Sequence, residues 1–432
     1  MAAAGSAVGL GNIWKFPYVA GENGGGAFLL VYLCFVLLFG MPLVIMEFHI
    51  GKRTGKSTYG AFRALSGNNR WQWLSWLCAV TVMLLMGFYF VVTGWCFNYL
   101  TEALTNRFHG LGAEALTEHF AAVTSNTPRM ILFSLLPIAI TAAVLWFDVR
   151  KGIERISKIL MPLLLLLMLL MAGRVMMLEG SDTGLSFFLK ADFSKITSRV
   201  VLEAMGQCFF SLSVGVGALI TYGAYMPTEQ DVPRASLQVV MLDTLVAIMA
   251  GLIIFPAVFA FGFNPEEGPQ LVFVVLPAIL EKMTFAWLSG VLFFSLLSIA
   301  ALTSTISMME IVVAFTSEAM ADTRHPVSRS QSVCIVASIT VVMVTLCVLL
   351  PQLFTCFDKL VACLLMPMGA LGMAVLVGWN LSKPEERSYL QSNGFKPLAI
   401  KIFIFVLRWV VPVMILLIFL NGLGVFSMQG QG

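Results

Sequence analysis

Two stretches of this chain place glycine and oxygen donors where an apolar helix would otherwise run unbroken. The first reads Gly5-Ser6-Ala7-Val8-Gly9-Leu10-Gly11-Asn12 and the second Ser211-Leu212-Ser213-Val214-Gly215-Val216-Gly217. Glycine weakens a helix, and small polar neighbours can bond the backbone groups that unwinding frees. Freed carbonyls suit a hard cation such as Na⁺, while the amino end of a half-helix suits a carboxylate. A third stretch, Ala300-Ala301-Leu302-Thr303-Ser304-Thr305, puts hydroxyls on neighbouring positions of another apolar run. Plainer readings stand beside these: small residues allow close helix packing, and Ser or Thr can back-bond to its own helix. The recurrence of the glycine break weighs toward an ion site.

Three acids, Glu47, Asp243 and Glu310, lie within or beside apolar runs. A charge at a helix centre in a bilayer costs about 2.5–3.5 kcal/mol or more, so such acids read as functional. The alternative is a helix end in water, and it is strongest for Glu310. Other chemistry finds little support. The four histidines, His49, His109, His119 and His325, form no ligand set. No H-E-x-x-H, G-x-S-x-G or Walker loop occurs, which argues against an enzyme. The eight cysteines are scattered without a C-x-x-C and read as small buried hydrophobes.

The elements that position these residues follow from composition. The chain is 59% hydrophobic and 11% charged, with a mean hydropathy of +0.90. A bilayer accepts such a chain and water does not. A net charge of +3 without a Lys/Arg run gives no sign of nucleic acid. Apolar runs of about 20 residues fall near residues 1–20, 27–50, 74–104, 130–147, 156–178, 200–223, 236–262, 284–318, 331–350, 359–380 and 398–422. The expected fold is therefore an all-α integral membrane protein with about 11 transmembrane helices, since lipid cannot satisfy open backbone groups.

Lys52, Arg53, Lys56, Arg63 and Arg70 follow the second span, Arg150, Lys151, Arg155 and Lys158 the fourth, and Lys383, Arg387, Lys396 and Lys401 the tenth. These loops alternate on one side, so the amino terminus is expected in the cytoplasm. Met1-Ala2-Ala3-Ala4 enters the first span directly, with no signal-peptide pattern. Either the first helix is short or the chain begins late. The two broken spans are five apart, as in two five-helix repeats whose broken helices meet at the midplane. Those repeats cover 1–178 and 196–382, with an extra helix at 398–422, inside one transporter domain spanning 1–432.

Longer motifs carry a resemblance. Gly5 to Tyr18, then Glu22-Asn23-Gly24-Gly25-Gly26-Ala27-Phe28, Gly87-Phe88-Tyr89, Gln207-Cys208-Phe209-Phe210-Ser211-Leu212-Ser213 and Ala301-Leu302-Thr303-Ser304 resemble the neurotransmitter:sodium symporters over nearly the whole chain. The resemblance implies inverted repeats with broken helices 1 and 6, and Na⁺-coupled uptake of an amino acid by alternating access. It implies a first sodium site from the Ala7 carbonyl, Asn12, Ser211, Asp243 and the substrate carboxylate. A second would use carbonyls of Gly5, Val8 and Ala300 with hydroxyls of Thr303 and Ser304. Substrate would lie against Ser6, Ala7, Leu10, Gly11, Leu85, Tyr89, Phe210, Ser211, Ser213, Val216, Ser304 and Met308. Tyr89 would bond its carboxylate, and Phe210 would lid it.

The implied outer gate is Lys15 with Asp358, where the family usually has arginine at the Lys15 position; lysine lacks the planar fork. The implied inner acid is Glu318, whose usual arginine partner would precede the first helix. Gly152 and Pro162 match a fifth-helix motif linked to unwinding. A leucine-transporting bacterial member carries a phenylalanine where this chain has Val216, so large hydrophobic or aromatic L-amino acids are expected unless Met308 fills the space. Positions matching the chloride site of animal members are Tyr32, Gln207, Ser211, Asp243 and Ala247. Asp243 replaces an asparagine and Ala247 a serine, so chloride is not expected to be required. The implied setting is a bacterial inner membrane. A non-transporting amino-acid sensor of the same fold stays open, as does the oligomeric state.

Overall fold

A helix satisfies its own backbone groups, so long apolar runs close as helices wherever water is scarce. The computed structural model describes residues 9–147, 150–227, 229–266, 268, 271–283, 285–321, 326–381 and 383–422, and among these no strand occurs. In chain order, the helices of the first half are α1 (11–22), α2 (Gly26–Thr54), α3 (Thr58–Ser66), α4 (Gln72–Leu104), α5 (Ala113–Ser125), α6 (Thr127–Trp146), α7 (Arg150–Met176) and α8 (Ser181–Leu189). The second half holds α9 (Ser198–Ser211), α10 (Ala218–Ala224), α11 (Val232–Ala260), α12 (Leu271–Glu281), α13 (Ala286–Ala321), α14 (Arg329–Leu349), α15 (Pro351–Asn380), α16 (Pro384–Ser392) and α17 (Pro397–Leu417).

Eight of these, α2, α4, α6, α11, α13, α14, α15 and α17, are long and apolar enough to cross a membrane. The other three expected spans are the first, described from residue 9, the fifth, α7, and the sixth, which is α9 and α10 together. Helix α7 runs unbroken through Gly152 and Pro162, so the fifth-helix motif is not unwound here. Leu37 is 70% exposed and Leu132 66%. An outer surface of this kind suits lipid tails.

The sixth span breaks where its sequence leaves α space. Ser213, Gly215 and Gly217 have φ of 52°, 88° and 73°. Only glycine takes such angles without a Cβ penalty, and a Cβ on Gly215 would collide with the Met366 carbonyl. Four π-helical turns occur, at Gly11–Lys15, Val36–Gly40, Val361–Leu365 and Val406–Val410. Each ends two residues before a proline, namely Pro17, Pro42, Pro367 and Pro412. Proline has no N–H and its ring strikes the carbonyl one turn back; a wider turn relieves that clash.

Helix α13 packs along α4, and α10 packs on α2. The core is where α1, α4, α9, α10 and α13 converge. Several short helices, α3, α5, α8 and α16, sit between spans that the sequence reading left as loops.

Candidate functional site

Asn12 stands at the start of α1, Ser211 at the end of α9 and Asp243 midway along α11, and all three are buried. The Asn12 amide donates to Ser211 Oγ at 3.0 Å and to Asp243 Oδ1 at 2.8 Å. It also donates to the Asp243 carbonyl at 2.8 Å. Ser211 donates its hydroxyl to Asp243 Oδ2 at 2.7 Å. Asp243 is thus a wholly buried acid, and the side chains that donate to it, Asn12 and Ser211, are both neutral. A buried charge needs a counter-charge. The oxygens that meet here, the Ser211 hydroxyl and the Asp243 carboxylate, could hold Na⁺; the Asn12 carbonyl oxygen accepts from Gly9 N–H at 3.2 Å, so Asn12 would join them with its amide turned over.

The second hydroxyl cluster lies on α13. Thr303 Oγ1 and Ser304 Oγ both donate to the Ala300 carbonyl, at 2.9 and 3.2 Å. This is the back-bonding of a membrane helix, and it gathers three oxygens at one point. Thr305 turns the other way, to Thr141 on α6 at 3.0 Å. A Cβ built on Gly9 would come within 2.6 Å of Ser304 Oγ, so the first segment passes directly over this cluster. Gly5, Ser6, Ala7 and Val8 lie outside the described residues.

Between the two clusters is a narrow cavity of about 50 Å³. Gly11, Leu85, Tyr89, Phe210, Ser211, Ser213, Val216, Ser304 and Met308, nine of the expected substrate residues, line it. Leu10 does not; its N–H donates to the Tyr89 hydroxyl at 3.2 Å. With its oxygen accepting there, Tyr89 keeps its own O–H to donate, as a carboxylate would require. Five lining residues, Gly9, Val82, Ala218, Ser307 and Ile311, were not among the expected site residues. Helical spacing could have found three of them: Val82 precedes Leu85 by three, and Ser307 and Ile311 follow Ser304 by three and seven.

Beyond Phe210, which lines the cavity, Lys15 and Asp358 form an ion pair. Asp358 also accepts from Tyr18 at 3.3 Å. The Lys15 ammonium sits 4.2 Å from the Phe210 ring centre, within cation–π range, and Phe210 stacks on Phe88. Toward the opposite end, Glu318 accepts from the N–H groups of Ser57 and Gly60 at 3.2 and 3.1 Å. The inner acid therefore holds the amino end of α3. Glu47 accepts from Gly215 N–H at 2.6 Å and Leu219 N–H at 3.2 Å, capping the break in the sixth span. Glu310 does not stand in water, contrary to the simpler expectation. It is buried and paired in two-point fashion with Arg329, at 3.2 and 2.6 Å.

A sequence profile of the Sodium:neurotransmitter symporter family matches residues 1–111 and 123–431. An uncharacterized sodium-dependent transporter of Bacillus subtilis, YhdH, is 37% identical over 99% of this chain and 96% of its own length. A sodium-dependent transporter of Haemophilus influenzae is 31% identical over 98% of this chain and 96% of its own length. The crystal structure of MhsT in complex with L-phenylalanine superposes with a TM-score of 0.91 at 37% identity, covering 97% of both chains.

Proposed function

Because this chain belongs to the sodium:neurotransmitter symporter family, we propose that it imports L-amino acids with large hydrophobic or aromatic side chains, driven by Na⁺ at two sites. It is an all-helical membrane protein, a sodium-dependent symporter and not an enzyme. The observation that carries the substrate reading is the cavity lining. None of the fifteen residues around it is charged, and its side-chain end holds Val82, Leu85, Val216, Met308 and Ile311. A charged side chain would lose its hydration there without a partner, whereas an aromatic ring would bury apolar area. The phenylalanine bound to MhsT supports the same class.

A competition assay in proteoliposomes tests this. Phenylalanine, tyrosine, tryptophan and leucine should displace labelled substrate strongly. Glycine, alanine and glutamate should compete at least tenfold less well, since each methylene in such a pocket is worth about 1 kcal/mol. Strong preference for glycine, alanine or glutamate would count against the reading. Concentrative, Na⁺-dependent uptake in the same vesicles separates a transporter from a sensor.

Two oxygen clusters support this reading, one at Asn12, Ser211 and Asp243 and one at Ala300, Thr303 and Ser304. Thr303→Ala removes one neutral oxygen from a charged centre, worth about 1.5 kcal/mol. The Na⁺ concentration for half-maximal uptake should therefore rise about tenfold. An unchanged Na⁺ dependence would remove Thr303 from the site. We place the amino terminus and the basic loops after α2, α6 and α15 in the cytoplasm of a bacterial cell, and assign 1–178 and 196–382 to inverted repeats. The gates are Lys15–Asp358 outside and Glu318 inside.

A further inference from the structure

At the end of α15 the chain turns through α16 into α17, and these two helices flank an open cavity of about 410 Å³. Arg387 and Gln391 face it from α16. Pro397, Ile400, Lys401, Ile404, Arg408 and their neighbours face it from α17, at the spacing of one helix stripe. Three cations, Arg387, Lys401 and Arg408, thus line one space with no acid among its walls. The acid at the foot of α16, Glu386, is turned away and buried against Arg53, at 3.1 Å. Glu385 is exposed on the same helix and does not line the space.

The height of this cavity relative to the bilayer can be read from its neighbours. Arg408 Nε donates to the Gly378 carbonyl at 2.6 Å, so it lies level with the last turn of α15. At the same level Trp379 and Trp409 lie 6.3 Å apart and are 50% and 58% exposed. Trp379 is the last residue but one of α15, and an exposed tryptophan at a span end marks the boundary between tails and headgroups; Trp409, midway along α17, packs beside it. Phe405 is also exposed and faces the same opening. Along α17 the cations Lys401 and Arg408 alternate with the aromatic residues Phe405 and Trp409 over about 12 Å of helix, so charge and apolar surface are interleaved at this boundary.

We propose that this cavity binds one anionic phospholipid of the cytoplasmic leaflet, with its phosphate among Arg387, Lys401 and Arg408 and its acyl chains against Phe405 and Trp409. The leaflet rests on the orientation proposed above. The lipid phosphate would meet Arg387 and Lys401 across an open face whose described walls hold no acid, and the aromatic rim gives its chains a surface that a soluble anion would not use. Bound there, the lipid bridges α16 to α17.

The full chain, released from bilayers of dioleoyl phosphatidylcholine with one-fifth dioleoyl phosphatidylglycerol, is examined by native mass spectrometry for retained lipid. One phosphatidylglycerol should remain in preference to phosphatidylcholine. Arg387→Gln with Lys401→Gln should cut that retention about thirtyfold, as expected for two headgroup-level cations. The charge-preserving pair Arg387→Lys with Lys401→Arg should keep most of it. Equal retention by the unmodified and glutamine-substituted proteins would overturn the proposal, as would equal retention of phosphatidylcholine. Loss of lipid in the charge-preserving pair would overturn it too. Millimolar inorganic phosphate should leave retention unchanged; displacement by it would make this a soluble-anion site and overturn the lipid assignment. Because the readout is bound lipid, it is independent of whether transport is Na⁺-coupled.

Discussion

Uptake by the unmodified protein should proceed equally fast in sodium chloride and in sodium gluconate, and Asp243→Asn should slow uptake in gluconate by two orders of magnitude or more. The expectation starts from charge. Two Na⁺ and a zwitterion gathering at low dielectric leave an excess of positive charge that something must offset. Asp243 is wholly buried, and the groups that face it are neutral. A unit charge about 4 Å away at an effective dielectric of about 20 is worth roughly 4 kcal/mol, enough for a thousandfold effect. One turn along α11, Ala247 is buried and offers no hydroxyl to a chloride ion, and the nearby Gln207 amide is already donated to the Gly11 carbonyl at 2.9 Å. Asparagine at 243 keeps the shape and removes the charge, so added chloride should restore part of the lost rate. Labelled uptake in matched salts decides the matter. A chloride requirement in the unmodified protein would show that Asp243 does not supply the offsetting charge.

What could be read from the sequence, and what could not, divides along a physical line. The glycine break of the sixth span was legible because glycine and serine in an apolar run have few other uses, and Ser213, Gly215 and Gly217 take left-handed φ; most of the first stretch, Gly5 to Val8, lies outside the described residues. Asp243 was legible because a membrane acid demands an explanation. Its joining to Asn12 and Ser211, 231 and 32 residues away, followed from family resemblance rather than from any local signal. Pairings made by tertiary placement were not legible at all. Glu310 gave no sign that it meets Arg329 across the turn between α13 and α14. Nor did the buried Glu102 announce its partly exposed partners Arg129 and His119, at 2.6 and 2.5 Å. The π turns could have been suspected from proline, yet Pro137, Pro162, Pro256 and Pro277 lie inside helices without one. Whether a proline widens its turn depends on what packs outside it.

The broken helix itself supplies the other large expected effect: Glu47→Ala should destabilise the folded protein by several kcal/mol. Interrupting α9 and α10 exposes amide groups that no intrahelical carbonyl reaches. In water they would be hydrated; here they are buried, and no solvent replaces a missing acceptor. Glu47 on α2 answers for two of them, accepting from Gly215 N–H at 2.6 Å and Leu219 N–H at 3.2 Å with separate oxygens. The second of these belongs to the first turn of α10, where the helix dipole also favours a carboxylate. Alanine leaves both amides unpaired, at about 1–3 kcal/mol each, and adds a cavity. The sum approaches the entire stability of many domains, so this variant should accumulate poorly and lose its monodisperse elution at far lower temperature. Glu47→Gln should fall between, because its carbonyl oxygen can serve one amide while its NH₂ confronts the other. The order unmodified, glutamine, alanine is the specific expectation, measured as the temperature of aggregation in detergent with Na⁺ present. Were alanine as stable as glutamic acid, the break would have to be held open by its own turns, Val214 N–H to the Phe209 carbonyl among them, and the carboxylate would be free for another role.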